Sequence, residues 1–97
     1  MVIVQGTVRV AEADRAKFRA AGAATRQEPG CLLYTYGEDV LDPGLMRISE
    51  RWRDMAALDA HVKTPHMAAF TAALGGLDLS EVQISAYEVA SERVLAG

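Results

Sequence analysis

The sequence has few of the residues that build disulfides, metal clusters or membrane spans. Its single cysteine, Cys31, cannot form an internal disulfide, and no neighbouring residue makes a metal-ligand pair with it. No apolar run approaches the roughly 20 residues that cross a bilayer, and the amino terminus lacks the pattern of a secretory signal. We therefore expect a protein of the reducing cytoplasm, with no metal and no membrane partner.

The sequence also lacks a large excess of either positive or negative charge. The 10 basic and 13 acidic residues give a net charge of −3, and the basic residues form no stripe. A balanced surface of this kind argues against a nucleic-acid partner. The 97 residues, 51% of them hydrophobic, are enough for one small domain over residues 1–97.

The spacing of apolar residues predicts a mixture of strands and helices. Strands are predicted over residues 2–10, 31–38, 45–52 and 82–89, and helices over residues 11–27, 55–63 and 65–74. Gly75 and Gly76 are expected to end the last helix. Gly6 interrupts the first strand, which indicates either a close backbone approach or room left for a ligand.

The order of these elements predicts the fold class. Strand, helix, strand, strand, helix, strand is the split βαβ arrangement of α+β ferredoxin-like domains, with helices on one face of a four-stranded antiparallel sheet. Ile3 and Thr7 would then lie on a bare, half-apolar face, so we expect a homodimer formed through that face. We expect residues 90–97 to be either a loose terminal segment or a short extension that contacts the second subunit.

The segment from Arg47 to Phe70 carries the candidate chemistry. Alternation places Glu50 and Trp52 on one strand face, and Asp54 is the expected N-cap of the helix that brings His61 back over the sheet. Imidazole is the side chain whose ordinary pKa lies closest to neutral pH, so His61 is the candidate base and Glu50 its candidate partner. The alternative is a structural histidine at the border of a packed helix.

Aromatic side chains are the candidate walls of a substrate pocket. Trp52, together with Tyr34 or Tyr36, could form a flat apolar wall, and His66 and Phe70 are further candidate contacts. Each has a plainer alternative: the tyrosines and Trp52 as core residues, and His66 as a surface or capping residue.

Four motifs together resemble the antibiotic biosynthesis monooxygenase family. They are Glu28-Pro29-Gly30-Cys31, Glu50-Arg51-Trp52, Leu58-Asp59-Ala60-His61 and Thr64-Pro65-His66. The resemblance implies a dimeric α+β barrel with a pocket between sheet and helices. It also implies oxygenation of a quinol or related phenolic or polycyclic aromatic with dioxygen and no cofactor.

The resemblance leaves other activities open. Haem-degrading relatives are a poor match, because residues 5–7 lack their asparagine and residues 67–74 lack their histidine. The leading hypothesis is a cofactor-free monooxygenase with His61 as base. The alternatives are a non-catalytic small-molecule-binding or accessory dimeric protein and, less favoured, an isomerase of a small signalling metabolite.

Overall fold

A computed structural model describes residues 1–73 and 81–97. The strands are β1 Val2–Arg9, β2 Cys31–Glu38, β3 Leu45–Trp52 and β4 Gln83–Glu88, and the helices are α1 Arg15–Thr25, α2 Met55–Val62 and α3 Pro65–Ala73. This is the predicted order of elements, so the α+β ferredoxin-like fold is confirmed. The predicted helix stop at Leu74, Gly75 and Gly76 lies outside the described residues.

The first helix is shorter than predicted at both ends. Residues Glu12–Asp14 form a separate 3₁₀ turn, and α1 ends at Thr25, two residues before the predicted end. At the end of the helix the backbone hydrogen bonds change from i→i−4 to i→i−3: the Gln27 N–H donates to the Ala24 carbonyl and the Glu28 N–H to the Thr25 carbonyl. These i→i−3 hydrogen bonds end the helix before Pro29.

The sheet has the strand order β2-β3-β1-β4, and every neighbouring pair is antiparallel. Its register brings four residues into one row across the helix-covered face: Tyr34, Glu50, Val4 and Ala86. The row beside it contains Tyr36, Ile48, Gly6 and Ile84. Glu50 therefore lies in the middle of the sheet, between a tyrosine and a valine.

The two faces of the sheet differ in burial and polarity. The helix-covered face holds Val2, Val4, Val8, Ile48 and Trp52, all of them buried. The open face is polar in its middle row, which contains Thr35, Ser49, Gln5 and Ser85, and more apolar in the row of Leu33, Arg51, Ile3 and Tyr87. The prediction of helices on one face is confirmed, and the apolar part of the open face is confined to one end.

Glycine is required at two positions, one within β1 and one in the loop that leads into β2. A Cβ atom at Gly6 would lie 2.1 Å from the Gln83 carbonyl oxygen, so β4 occupies the space that a side chain would take. The gap at Gly6 is a close backbone approach, as one of the two sequence interpretations holds. Gly30 has a positive φ of 82°, which lets the chain turn from α1 into β2.

Within residues 1–73 and 81–97, every helix falls short of the length and apolarity that crossing a bilayer requires.

Candidate functional site

Helix α2 carries His61 back over the sheet directly after β3 ends. Asp54 is its N-cap, and the carboxylate accepts a 2.8 Å bond from the Ala57 N–H, as the sequence predicted. His61 follows nearly two turns later and is only 3% exposed. The strand end and the capped helix together fix where this imidazole lies.

Three polar side chains meet where α1 ends against α2 and α3. Glu28 Oε2 lies 2.7 Å from His61 Nδ1 and 2.8 Å from His66 Nε2. The Glu28 side chain is 10% exposed and that of His61 is 4% exposed, whereas that of His66 is 28% exposed. We call this group the Glu28 corner, defined by Glu28, His61 and His66.

The contact with Glu28 assigns the tautomer of a neutral His61. An ionised carboxylate only accepts hydrogen bonds, so the Nδ1 atom that faces Glu28 must carry the proton. The proton-free Nε2 is then the acceptor of the ring, and the ring itself lines a cavity between the sheet and the helices. A carboxylate behind an imidazole in this way orients it as a base.

Glu50 and Trp52 form a second buried group on β3, which we call the Glu50 corner. The indole Nε1–H donates a 2.9 Å bond to Glu50 Oε1. Trp52 is 0% exposed, and its ring lies 4.7 Å from the His61 ring, centroid to centroid, at an interplanar angle of 35°. Trp52 therefore connects Glu50 to the imidazole by packing.

Burial raises the pKa of Glu50, because a carboxylate in the middle of the sheet loses its water shell. The indole bond and the nearby His61 act in the opposite direction, and Glu28 adds to the rise. The net upward direction favours the neutral carboxyl form more than in an exposed glutamate. Glu50 can thus serve as a proton donor or as a hydrogen-bond acceptor.

Two tyrosines on β2 place their hydroxyl groups in contact. The Tyr34 and Tyr36 hydroxyl oxygens are 2.6 Å apart. Burial raises the pKa of both phenols, that of Tyr36 to about 12. Both hydroxyls therefore stay protonated at neutral pH and remain hydrogen-bond donors. Phe18 packs edge-on against Tyr36 and against Phe70.

A cavity of about 750 Å³ lies between the sheet and the helices. The polar side chains Glu50, His61, Tyr34 and Tyr36 line it, among mostly apolar neighbours that include Phe18 and Phe70. Its volume falls within the range of about 300–1,000 Å³ for small-molecule sites. An engineered cavity of about 150 Å³ already admits benzene, so an aromatic nucleus fits here.

The structure brings five of the seven predicted site residues to this cavity: His61, Glu50, Tyr34, Tyr36 and Phe70. Trp52 differs from its predicted position, since this fully buried ring is not among the described residues that line the cavity. Strand alternation predicted which face Trp52 occupies but not that α2 would cover the ring. His66 instead lines a smaller hollow of about 290 Å³, to which Phe70 also contributes.

Glu28 was not among the predicted site residues, although it stands in one of the four motifs that resemble the family. One signal could have found it. A negative charge just beyond the C-terminus of a helix faces the negative end of the helix dipole, so such a residue needs a compensating partner. Glu28 has two, both imidazoles from residues more than 30 positions away.

Comparison with known proteins identifies the family. The family model named antibiotic biosynthesis monooxygenase matches residues 1–73, about three quarters of the chain. The chain belongs to the antibiotic biosynthesis monooxygenase family. The matched part contains the Glu28 corner, the Glu50 corner and the tyrosine pair, so the site consists of residues within the family domain.

Similar proteins support this membership. A solved structure from Deinococcus radiodurans, described as a candidate antibiotic biosynthesis monooxygenase, is 35% identical with a TM-score of 0.83, and 100% of each chain is covered. Rv0793 from Mycobacterium tuberculosis is 30% identical with a TM-score of 0.83, covering 96% of this chain and 98% of the other. The uncharacterized protein sll1783 of Synechocystis is 30% identical, covering 97% of this chain and 67% of its own.

Proposed function

We propose that the protein is a monooxygenase that oxidises a quinol or a related phenolic aromatic with dioxygen and without a cofactor. The observation that carries the proposal is His61, held at Nδ1 by Glu28 while its ring lines an aromatic-sized cavity. Membership of a family named for monooxygenases supports the same reaction class.

The reaction requires the substrate to supply its own electrons. Dioxygen reacts slowly with closed-shell molecules, but a phenolate is electron-rich enough to transfer one electron to it. Abstraction of the phenolic proton by His61 Nε2 starts the reaction. The resulting phenoxyl and superoxide radicals combine at a ring carbon, and loss of water from the peroxide leaves a carbonyl. In total, a quinol and dioxygen give a hydroxyquinone and water.

The two tyrosines are proposed to bind an oxygen atom of the substrate. Their contact uses one hydroxyl proton between them; when Tyr34 donates that proton, the hydroxyl proton of Tyr36 can be donated to the substrate. Because the raised pKa values keep both phenols neutral, the pair offers a donor without a negative charge that would repel a phenolate. Phe18 and Phe70 then supply edge and face contacts for an aromatic ring.

Glu50 is proposed as the proton carrier of the later steps. It lines the cavity and its pKa is raised, so it can deliver a proton to the peroxide oxygen that leaves as water. Trp52 is proposed as a positioning residue, because its indole N–H donates to Glu50 and its ring packs against His61.

Oxygen uptake by the chelator-treated protein with a panel of hydroquinones and hydroxylated anthrones tests the proposal. Wild-type protein should consume oxygen above the uncatalysed rate with at least one compound, in a one-to-one ratio to product. His61→Gln should lower this rate by about 100-fold or more, since a positioned base commonly contributes 10²–10⁴-fold. Glu12→Gln, at an exposed position, is the matched surface control.

Two results would contradict the proposal. The first is uptake at the background rate with every compound while the same compounds bind in a fluorescence titration of Trp52; that combination favours the non-catalytic binding protein. The second is full activity of a folded His61→Gln variant, which would remove the proposed base.

We also propose that the protein is a homodimer formed through the open sheet face. The apolar row of that face includes Ile3, Leu33 and the 56% exposed Tyr87, and Val94 and Leu95 in the tail are largely exposed as well. Light scattering should give about twice the chain mass of 10.4 kDa. A monomer at all micromolar concentrations would contradict this assembly.

A further inference from the structure

The Glu28 corner has the composition and spacing of a divalent-metal site. The ligand-capable atoms of Glu28, His61 and His66 all lie within 4.8 Å of one another. Two imidazoles and a carboxylate form a ligand set that suits zinc and other first-row transition metals. We propose that this corner binds one divalent transition-metal ion per chain through Glu28 Oε2, His61 Nδ1 and His66 Nε2.

The three ligand atoms must shift before all of them can contact one ion. Ligand atoms bound to one ion at about 2.1 Å lie about 3.0–3.4 Å apart in octahedral or tetrahedral geometry. The carboxylate oxygen lies 2.7 and 2.8 Å from the two nitrogens, so each of these two pairs must open by about 0.2–0.7 Å. The two nitrogens lie within 4.8 Å of each other and must approach by up to about 1.8 Å. Replacing the two imidazole protons with a cation makes that opening favourable.

Burial also fits a bound ion. Glu28 and His61 are at least nine-tenths buried, so their orientations are fixed, while His66 is partly exposed and lines a hollow of about 290 Å³. That hollow brings solvent to His66, at the edge of the Glu28 corner. Three protein ligands leave at least one coordination position for water or another small ligand.

Metal binding would reverse the role of His61 in the cavity. Coordination takes the Nδ1 lone pair and displaces its proton, so the neutral ring must then carry its proton on Nε2. The loaded protein would present a donor to the cavity, where the metal-free protein presents an acceptor. The inference shares His61 with the proposed function, but binding can be measured whether or not oxygenation occurs.

The test is a titration of the tag-free, chelator-treated protein with Zn²⁺ by calorimetry and with Co²⁺ by visible absorption. We expect one ion per chain, and a Tm that rises by roughly 10 °C at a hundredfold excess over Kd. Glu28→Gln and His66→Gln should each weaken binding at least tenfold, since loss even of an outer partner commonly costs about 10–100-fold.

Two matched controls identify the ligands. Glu50→Gln changes the other buried carboxylate and should leave metal affinity within about threefold. Cys31→Ser should do the same, and the Co²⁺ spectrum should lack a thiolate charge-transfer band. The sequence contains only two histidines, so no other imidazole pair can produce the signal.

Clear results would overturn the inference. They are absence of binding at 100 times the protein concentration, or binding that both Glu28→Gln and His66→Gln leave unchanged while circular dichroism shows both variants folded. Oxygen uptake adds an independent readout: in a wild-type protein that proves active, Zn²⁺ should suppress the rate, and His66→Gln should need at least tenfold more Zn²⁺ for the same suppression.

Discussion

The Glu28 corner and the Glu50 corner each contain a buried carboxylate, but the two groups have different partners. Glu28 lies between two imidazole nitrogens at the end of a helix, whereas Glu50 lies in mid-sheet and accepts one indole N–H. Burial raises the pKa of Glu50 even so. The difference in partners is the basis for proposing different tasks for the two acids: Glu28 as the residue that orients His61, and Glu50 as a proton carrier.

Removal of Trp52 should have the largest effect, because its ring is the packing connection between the two corners. Trp52→Ala should lower the free energy of unfolding by about 3–5 kcal/mol, measured by urea denaturation, since the ring is fully buried. Trp52→Phe should cost less, because the smaller ring keeps part of the packing on His61 although the bond to Glu50 is lost. A loss below about 1 kcal/mol in Trp52→Ala would show that the ring does not hold the corners together.

Exchange of each carboxylate for its amide should separate the two tasks. Glu28→Gln should reduce the oxygen uptake rate by about 10–100-fold, because a neutral amide can present its N–H to Nδ1 and stabilise the wrong tautomer of His61. Glu50→Gln keeps an oxygen for the indole N–H but cannot deliver a proton, so it should lower the rate through the later proton transfer while the tautomer of His61 stays unchanged. A changed His61 tautomer in folded Glu50→Gln, or an unchanged one in folded Glu28→Gln, would contradict the division of roles.

Alkaline pH should weaken the tyrosine end of the cavity. The folded-state pKa of Tyr36 is about 12, above its ordinary value of 10.0, so folding favours the neutral phenol. Its stabilising contribution is complete below pH 10 and is lost as the pH rises towards 12, by up to about 2 kcal/mol. Urea midpoints of wild type should therefore fall above pH 10 more steeply than those of Tyr36→Phe. Parallel profiles would contradict the buried-phenol assignment.

Glu50→Gln should have the smallest effect on the free energy of unfolding. At neutral pH the substitution should raise this free energy slightly, whereas loss of a carboxylate with a lowered pKa would reduce it. A raised folded-state pKa means that ionisation opposes folding, so the penalty is absent at acid pH and develops as the pH rises above the ordinary value of 4.5. The variant should be slightly more stable than wild type at pH 7, and this gain should disappear near pH 4. Glu12→Gln is the exposed control in the same urea series, and a variant less stable than wild type at pH 7 would contradict the sign.

Local signals in the sequence predicted most of the fold. The change from strand to helix spacing after Trp52, the Asp54 cap and Pro65 at the start of α3 each depend on neighbouring residues, and each is confirmed. The positions of two candidate site residues could also be predicted locally. Strand alternation places Glu50 on the helix-covered face, and helical spacing after the Asp54 cap places His61 over the sheet.

What could not be predicted depends on contacts between distant segments. Glu28 reaches His61 across 33 positions and His66 across 38, and no local pattern links the end of α1 to α2 and α3. The complete burial of the Trp52 ring likewise depends on how closely α2 packs against the sheet. The carboxylate partner of the base was therefore expected to be Glu50, and the structure instead has Glu28 at Nδ1.

The central claim is that Glu28 holds His61 with its proton on Nδ1 and leaves Nε2 as the acceptor in the cavity. Long-range proton–nitrogen NMR of the chelator-treated protein measures this directly, with assignments from His66→Gln. At a pH where His61 is neutral, we predict the Nδ1–H tautomer in wild type and in Glu50→Gln, and its loss in Glu28→Gln. A neutral His61 with its proton on Nε2 in the wild-type protein would contradict the account.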